Sequence, residues 1–361
     1  MGERWYVERS AALALRRMAE HRFIVPALDG PPSGGTLYNR ELLRALQGEA
    51  RAVDTLEPPA ARAALEAGAP GVYWVDSLFL AHFPALVGAN RQRRTLGLIA
   101  HYLPSLVEHG DAVRPEQLRA DERFALTHAD VVLAPSHYMR RVLARLGLAE
   151  RARCLVVEPG CLAPSMAAES AAIDGVRAVL IANVTPGKGV EPFLHALSHE
   201  LREADSFRLD VVGGLDVDAS YAATCQQVVE RHAQLAHRVT FCGRMPAAQV
   251  IQRLSGSNLL ISASRMESFG MALAEARTCG VPIAALARGN APSLVSRQSG
   301  GVLADDDRAL ARACVDLTRD RAAHQHAMRR ARAKPRPPRS FADAARDFEA
   351  QLSAIGLGLR A

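Results

Sequence analysis

The six cysteines of this chain (Cys154, Cys161, Cys225, Cys242, Cys279 and Cys314) form no C-x-x-C pair. No histidine neighbour completes a zinc spacing, which excludes a zinc module and leaves buried thiols in a reducing compartment as the expectation. Basic-zipper, zinc-finger and RNA-binding aromatic patterns are absent, so no nucleic-acid partner is expected. No run approaches the roughly 18 apolar residues of a membrane span. The apolar stretch Ala11 to Leu15 is too short for a signal peptide and is flanked by arginine and glutamate. A cytoplasmic address is therefore expected. Neither an internal repeat nor a long low-complexity tract is present.

What is present is a chain of 361 residues, 49% apolar and 23% charged. That length suggests two domains, and the apolar content suffices for two cores. The net charge of +6 suits anionic phosphates or a peripheral contact with an acidic membrane surface.

The pattern alternates short apolar runs with amphipathic segments. Residues 1–20 read as a charged helical extension. The first strand is expected over Phe23–Leu28, followed by the turn-rich loop Asp29–Gly35 and a helix from about Thr36. Further strands are expected at Val72–Val75, Leu96–Ala100, Val131–Ala134 and Leu155–Val157, with helices around 79–88, 115–129 and 137–146. A segment rich in Ala, Pro and Ser (161–174) reads as the linker. The beat then restarts at Ala178–Ile181, Arg208–Val212, Val239–Phe241, Leu259–Ser262 and Pro282–Ala285. Alternating strands and helices imply two doubly wound parallel-sheet domains, over 21–165 and 175–332. The basic, proline-rich stretch Ala333–Ser340 interrupts any helix. A last amphipathic helix is expected over 340–355, with Phe341, Ala345, Phe348 and Leu352 on one face.

Four segments could carry chemistry. Glu267-Ser-Phe-Gly270 follows a strand and opens a helix, and Glu275 sits about two turns into that helix. Free N–H groups at a helix start bind anions, and Gly270 permits close approach. Two carboxylates beside such a nest make sense if they bind hydroxyls; solvated glutamates on a capped helix are the plainer reading. The second segment is Ile181–Gly189, where Lys188 lies between two glycines and can reach a diphosphate as a point charge. It lacks Walker spacing, and a surface lysine in a turn reads similarly. The third is Ser33-Gly34-Gly35, after the first strand. The fourth is His101, at a strand end, where a structural histidine is the competing reading. Together they suggest one nucleotide-sugar held in a cleft between two lobes.

At this point the sequence resembles retaining glycosyltransferase family 4 (group 1 glycosyl transferases, GT-B fold), from about Phe23 to Leu352. The most specific similarity is Glu267-Ser-Phe-Gly270 with Glu275, matching E-x-F-G-x-x-x-x-E. In the family's order come Pro32–Gly35, His101, Ala129–Ser136, Glu158–Gly160, Pro186–Gly189, Phe241–Gly243 and Cys279–Pro282. The resemblance implies two Rossmann-like domains facing across a cleft. It implies catalytic roles for Glu267, His101 and Lys188. It also implies donor contacts from Gly34, Gly35, Asn183, Lys188, Arg244, Phe269, Gly270, Met271 and Glu275.

A UDP- or GDP-linked hexose would be the donor. The acceptor would be a glycan, a lipid-linked group or a small-molecule natural product. No cofactor and no metal are expected. The last helix would cross back onto the first domain. Two departures stand out. Asn183 replaces an arginine frequent among relatives, so Lys188 carries more of the load or Arg244 or Arg265 substitutes. Gly289-Asn-Ala-Pro-Ser293 stands where relatives often carry a proline-glutamate pair. The same loops would also serve an epimerase or phosphorylase of this fold, or a non-catalytic sugar-nucleotide-binding partner.

Overall fold

The computed structural model describes residues 20–29, 33–48, 53–56, 63, 70–87, 94–147, 153–162 and 175–359. The N-terminal extension over 1–19 and most of the expected linker (163–174) lie outside the described residues. The chain divides into two compact units, one of residues 1–160 with 339–361 and one of residues 161–338.

The first unit holds six parallel strands: β1 His21–Ile24, β2 Val53–Leu56, β3 Gly71–Asp76, β4 Arg94–Ile99, β5 Val131–Ala134 and β6 Arg153–Val156, in the order β2-β1-β3-β4-β5-β6. Its main helices are α1 Gly34–Gly48, α2 Ala120–His128 and α3 His137–Arg145. Strands buried on both faces read as continuous apolar runs, hence Val131-Val-Leu-Ala134, buried at every position.

The second unit has its own six parallel strands: β7 Val176–Ile181, β8 Phe207–Val212, β9 Val239–Gly243, β10 Leu259–Ser262, β11 Ile283–Leu286 and β12 Val302–Ala304. Their order is β12-β11-β10-β7-β8-β9, the Rossmann order read from one edge. Its helices include α4 Val190–Glu200, α5 Ala219–Arg231, α6 Ala247–Ser255, α7 Met271–Cys279, α8 Asp307–Arg319 and α9 Arg321–Ala333.

The last helix, α10 Phe341–Ala354, belongs to the first unit. A reciprocal Ser340–Asp343 capping box starts it. Ala344, Ala345, Phe348 and Leu352 are buried. The Phe348 ring lies 5.3 Å from that of Trp74 and 6.2 Å from that of Phe23. Gln351 bonds both backbone groups of Val156, at 2.8 and 2.9 Å, and so satisfies the exposed edge of β6. His21 accepts from Trp74 Nε1 at 3.0 Å and donates from Nε2 to the Leu357 carbonyl at 3.0 Å.

Several boundaries differ from expectation. β1 ends at Ile24, because Pro26 cannot donate to a ladder. The helix expected near Thr36 already begins at Gly34, with Ser33 and Thr36 bonded side chain to backbone at its start. The expected 79–88 helix is a 3-10 turn, Ser77–His82, and a separate short helix, Phe83–Val87, with a kink at Phe79. The expected 115–129 helix begins only at Ala120, after a short helix over Pro104–His109 and two 3-10 turns.

Candidate functional site

In open α/β sheets, ligands collect outside the carboxyl ends of strands where the strand order reverses. In the second unit that point lies between β7 and β10. The β7 exit runs through Asn183 and a 3-10 turn, Pro186–Lys188, into α4. The β10 exit runs through Arg265 and Glu267 to α7, whose N-cap Gly270 has φ +92°. The Lys188 Nζ atom donates to Glu267 Oε1 at 3.1 Å, across 79 residues of sequence. Their side chains are 34% and 15% exposed, so the pair stands at the surface of its unit. α7 begins at Met271, four residues after Glu267, so a helix start with unbonded N–H groups follows the carboxylate closely in the chain.

The Glu267 loop is braced from β11. Gly289 has φ +59°, and a Cβ there would come within 2.5 Å of the Glu267 N and O atoms. Only glycine tolerates both conditions. Asn290 is buried. It donates from its backbone to the Glu267 carbonyl and from Nδ2 to the Phe269 carbonyl, each at 2.7 Å. The departure noted at Gly289-Asn290 is thus a support for the carboxylate loop. Sequence reasoning missed this role, since nothing local links β11 to β10.

The remaining expected donor contacts fall in different surroundings. Phe269 is buried, with the Arg336 guanidinium 5.2 Å from its ring centre. Met271 opens α7 and is partly buried. Glu275 is buried on α7, and burial pushes its carboxyl up to about 7, against a hydrogen bond from the Leu162 backbone. Asn183 Oδ1 accepts the Gly214 N–H at 2.9 Å, which ties the ends of β7 and β8. Arg265 reaches Asp307 at 2.9 Å. Arg244 leaves the end of β9, two strands from β7, or roughly 10 Å. It donates to Asp216 at 2.6 Å, while its buried Nη1 has no partner among the described residues.

The first unit repeats the logic at its own switch point, between β1 and β3. Gly34 and Gly35 open α1 after β1. Among the described residues nothing stands within 4 Å of a Cβ on Gly34, whereas a Cβ on Gly35 would stand 3.3 Å from the His101 ring. His101, at the end of β4, is buried. Its Nε2 lies 2.8 Å from Asn39 Oδ1 on α1. Asn39 Nδ2 in turn donates to Asp76 Oδ2 at 2.6 Å, and Asp76 Oδ1 accepts the Leu78 N–H at 2.8 Å. The edge of Tyr38 packs on the His101 ring at 4.7 Å between centres. Burial holds the His101 pKa below the ordinary histidine value, with Asp76 pulling the other way. Asn39 and Asp76 were not singled out from sequence. The one available signal was a carboxylate ending the apolar run Val72–Val75.

Among the described residues no group of three or more His, Cys, Asp or Glu could hold a metal, and no helix is long and apolar enough to cross a membrane.

The pattern of the glycosyl transferases group 1 family matches residues 175–320. A D-inositol 3-phosphate glycosyltransferase of Segniliparus rotundus is 26% identical over 82% of this chain and 71% of that protein. Further relatives of the same description match over about half of their own length. Among solved structures, sucrose-phosphate synthase from Thermosynechococcus elongatus superposes with a TM-score of 0.73 at 20% identity, covering 93% of this chain and 99% of that one. Anabaena HepE in complex with UDP-glucose superposes with a TM-score of 0.72 at 18% identity, covering 93% of this chain and 100% of that one. Both structural likenesses show the fold. Residues 175–320 carry the glycosyl transferases group 1 pattern, and the chain is a glycosyltransferase with the GT-B fold.

Proposed function

We propose that the protein transfers a hexose from a nucleoside-diphosphate sugar to a hydroxyl acceptor, with retention and without a metal. The observation that carries the reading is the meeting of Lys188 and Glu267 at the β7/β10 switch point, beside the N-terminus of α7. A cation and aligned backbone N–H groups are what a departing diphosphate requires. They can do the work that a divalent cation does elsewhere. Glu267 would then turn to the sugar hydroxyls and release Lys188 to the phosphates. Arg244, two strands away, suits the nucleoside end, and Glu275 suits the ribose. In this reading Asn183 braces the phosphate loop rather than supplying charge, which supports Lys188 as the principal phosphate cation. The first unit would bind the acceptor, and His101 would contact a sugar.

A panel of UDP- and GDP-linked hexoses, assayed in EDTA for hydrolysis, transfer and thermal shift, tests this. Expected are stabilisation by one nucleoside diphosphate and turnover of its sugar, with the anomeric configuration kept in the product by NMR. Loss of turnover in EDTA, restored by magnesium or manganese, would overturn metal independence. An inverted product would overturn retention.

A further inference from the structure

A buried polar cluster outside the Lys188–Glu267 site is the chain His101–Asn39–Asp76. All three residues are buried, they come from three different elements, and they share one line of hydrogen bonds. An ionised carboxylate only accepts. The face of the Asn39 amide turned to Asp76 Oδ2 at 2.6 Å is therefore its NH2 group. Asp76 is further held as an acceptor by the Leu78 N–H at 2.8 Å. With the amide oriented this way, its oxygen faces His101, so the hydrogen between them belongs to Nε2. Gly35 and Tyr38 pack on the ring and keep it from turning over.

We infer that Asp76 and Asn39 are positioning residues that fix His101 as the Nε2–H tautomer, so that it offers Nδ1 as a hydrogen-bond acceptor to a sugar hydroxyl. Nδ1 has no partner among the described residues. A lone pair there accepts from a hydroxyl and repels a phosphate oxygen. His101 thus selects a hydroxyl-bearing ligand and is no part of the phosphate site. The tautomer stands on the hydrogen-bond geometry alone, whereas the sugar as its partner rests on the glycosyltransferase reading above. The two can be tested apart.

The test uses the full chain, labelled with 15N-histidine, at pH 7 without ligand. The His101 signal is identified by its loss in His101→Gln. The expected signature is a neutral ring with the proton on Nε2. In Asn39→Ala and Asp76→Asn the proton should redistribute between the ring nitrogens. Turnover of the sugar donor should fall about tenfold, the scale of one oriented hydrogen bond, with nucleoside diphosphate affinity unchanged. An Nδ1–H tautomer or an imidazolium in the wild type overturns the assignment, whatever the enzyme's activity. An unchanged tautomer in a folded Asn39→Ala also overturns it. If Asp76→Asn fails to fold, the wild-type spectrum and Asn39→Ala still decide. A correct tautomer with no effect of donor sugar on the His101 signal overturns the sugar contact alone.

Discussion

Replacing Glu267 with glutamine should tighten binding of a nucleoside diphosphate while it abolishes most sugar transfer. In the ligand-free protein Lys188 is partly neutralised by a carboxylate 3.1 Å away. Unit charges 4 Å apart interact by about 4 kcal/mol at an effective dielectric constant of 20 and about 1 kcal/mol in water. Lys188 is 34% exposed, which places the pair toward the lower end. Removing the competing carboxylate should therefore strengthen diphosphate binding by about 1 kcal/mol, roughly fivefold. The reverse change, Lys188→Ala, should weaken it by about 1.5–3 kcal/mol, roughly ten- to a hundredfold. Neither variant should lose more than about 1 kcal/mol of stability, because partly exposed ion pairs contribute little. Calorimetric titration of UDP and GDP into wild type, both single variants and the double variant measures this. The double variant should bind like Lys188→Ala, since Glu267 acts on the phosphate only through the lysine. If Glu267→Gln weakens diphosphate binding as much as Lys188→Ala does, the carboxylate is itself part of the phosphate site and does not compete for Lys188.

Other consequences can be checked in the same way. Burial lowers the pKa of His21 from 6.5 to about 4, so it stays neutral in the folded protein while the unfolded chain protonates. Its contribution of about 3 kcal/mol is present above pH 6.5 and lost as pH falls toward 4. Urea unfolding of wild type at pH 7 and 4.5 should show this slope, and His21→Gln should flatten it; equal slopes refute it. Glu275 has the opposite sign, since its folded pKa of about 7 lies above 4.5, so stability falls as pH rises through that window. Ligand-free Glu275→Gln should accordingly melt higher than wild type at pH 8 and show no gain at pH 4. Phe348→Ala should cost about 3–5 kcal/mol, the usual range for a buried phenylalanine in a packed core. A loss below about 1 kcal/mol would mean that α10 is an appendage rather than part of the first unit's core.

Sequence alone determined the alternation of strand and helix, because a strand buried on both faces is a short apolar run and its covering helix shows a 3.6-residue stripe. It also placed glycine loops and the Glu267 helix start at strand ends, since turns and caps have local chemistry. It missed β2 and β12, which are three or four residues long and carry no lasting period; Val53-Asp-Thr-Leu56 alternates with a charge inside it. Strand order lies beyond any local signal. β7 pairs with both β8 and β10, and β3 with both β1 and β4. Those pairings, decided by how whole faces bury against one another, bring Lys188 to Glu267 and line up Asn39, Asp76 and His101. Asn183 shows the same divide. Its position in the motif suggested a phosphate contact, while the neighbouring β8 exit gives its oxygen a backbone N–H to hold. A side chain's partner depends on which strand end stands beside it, and that is settled only when the sheet forms.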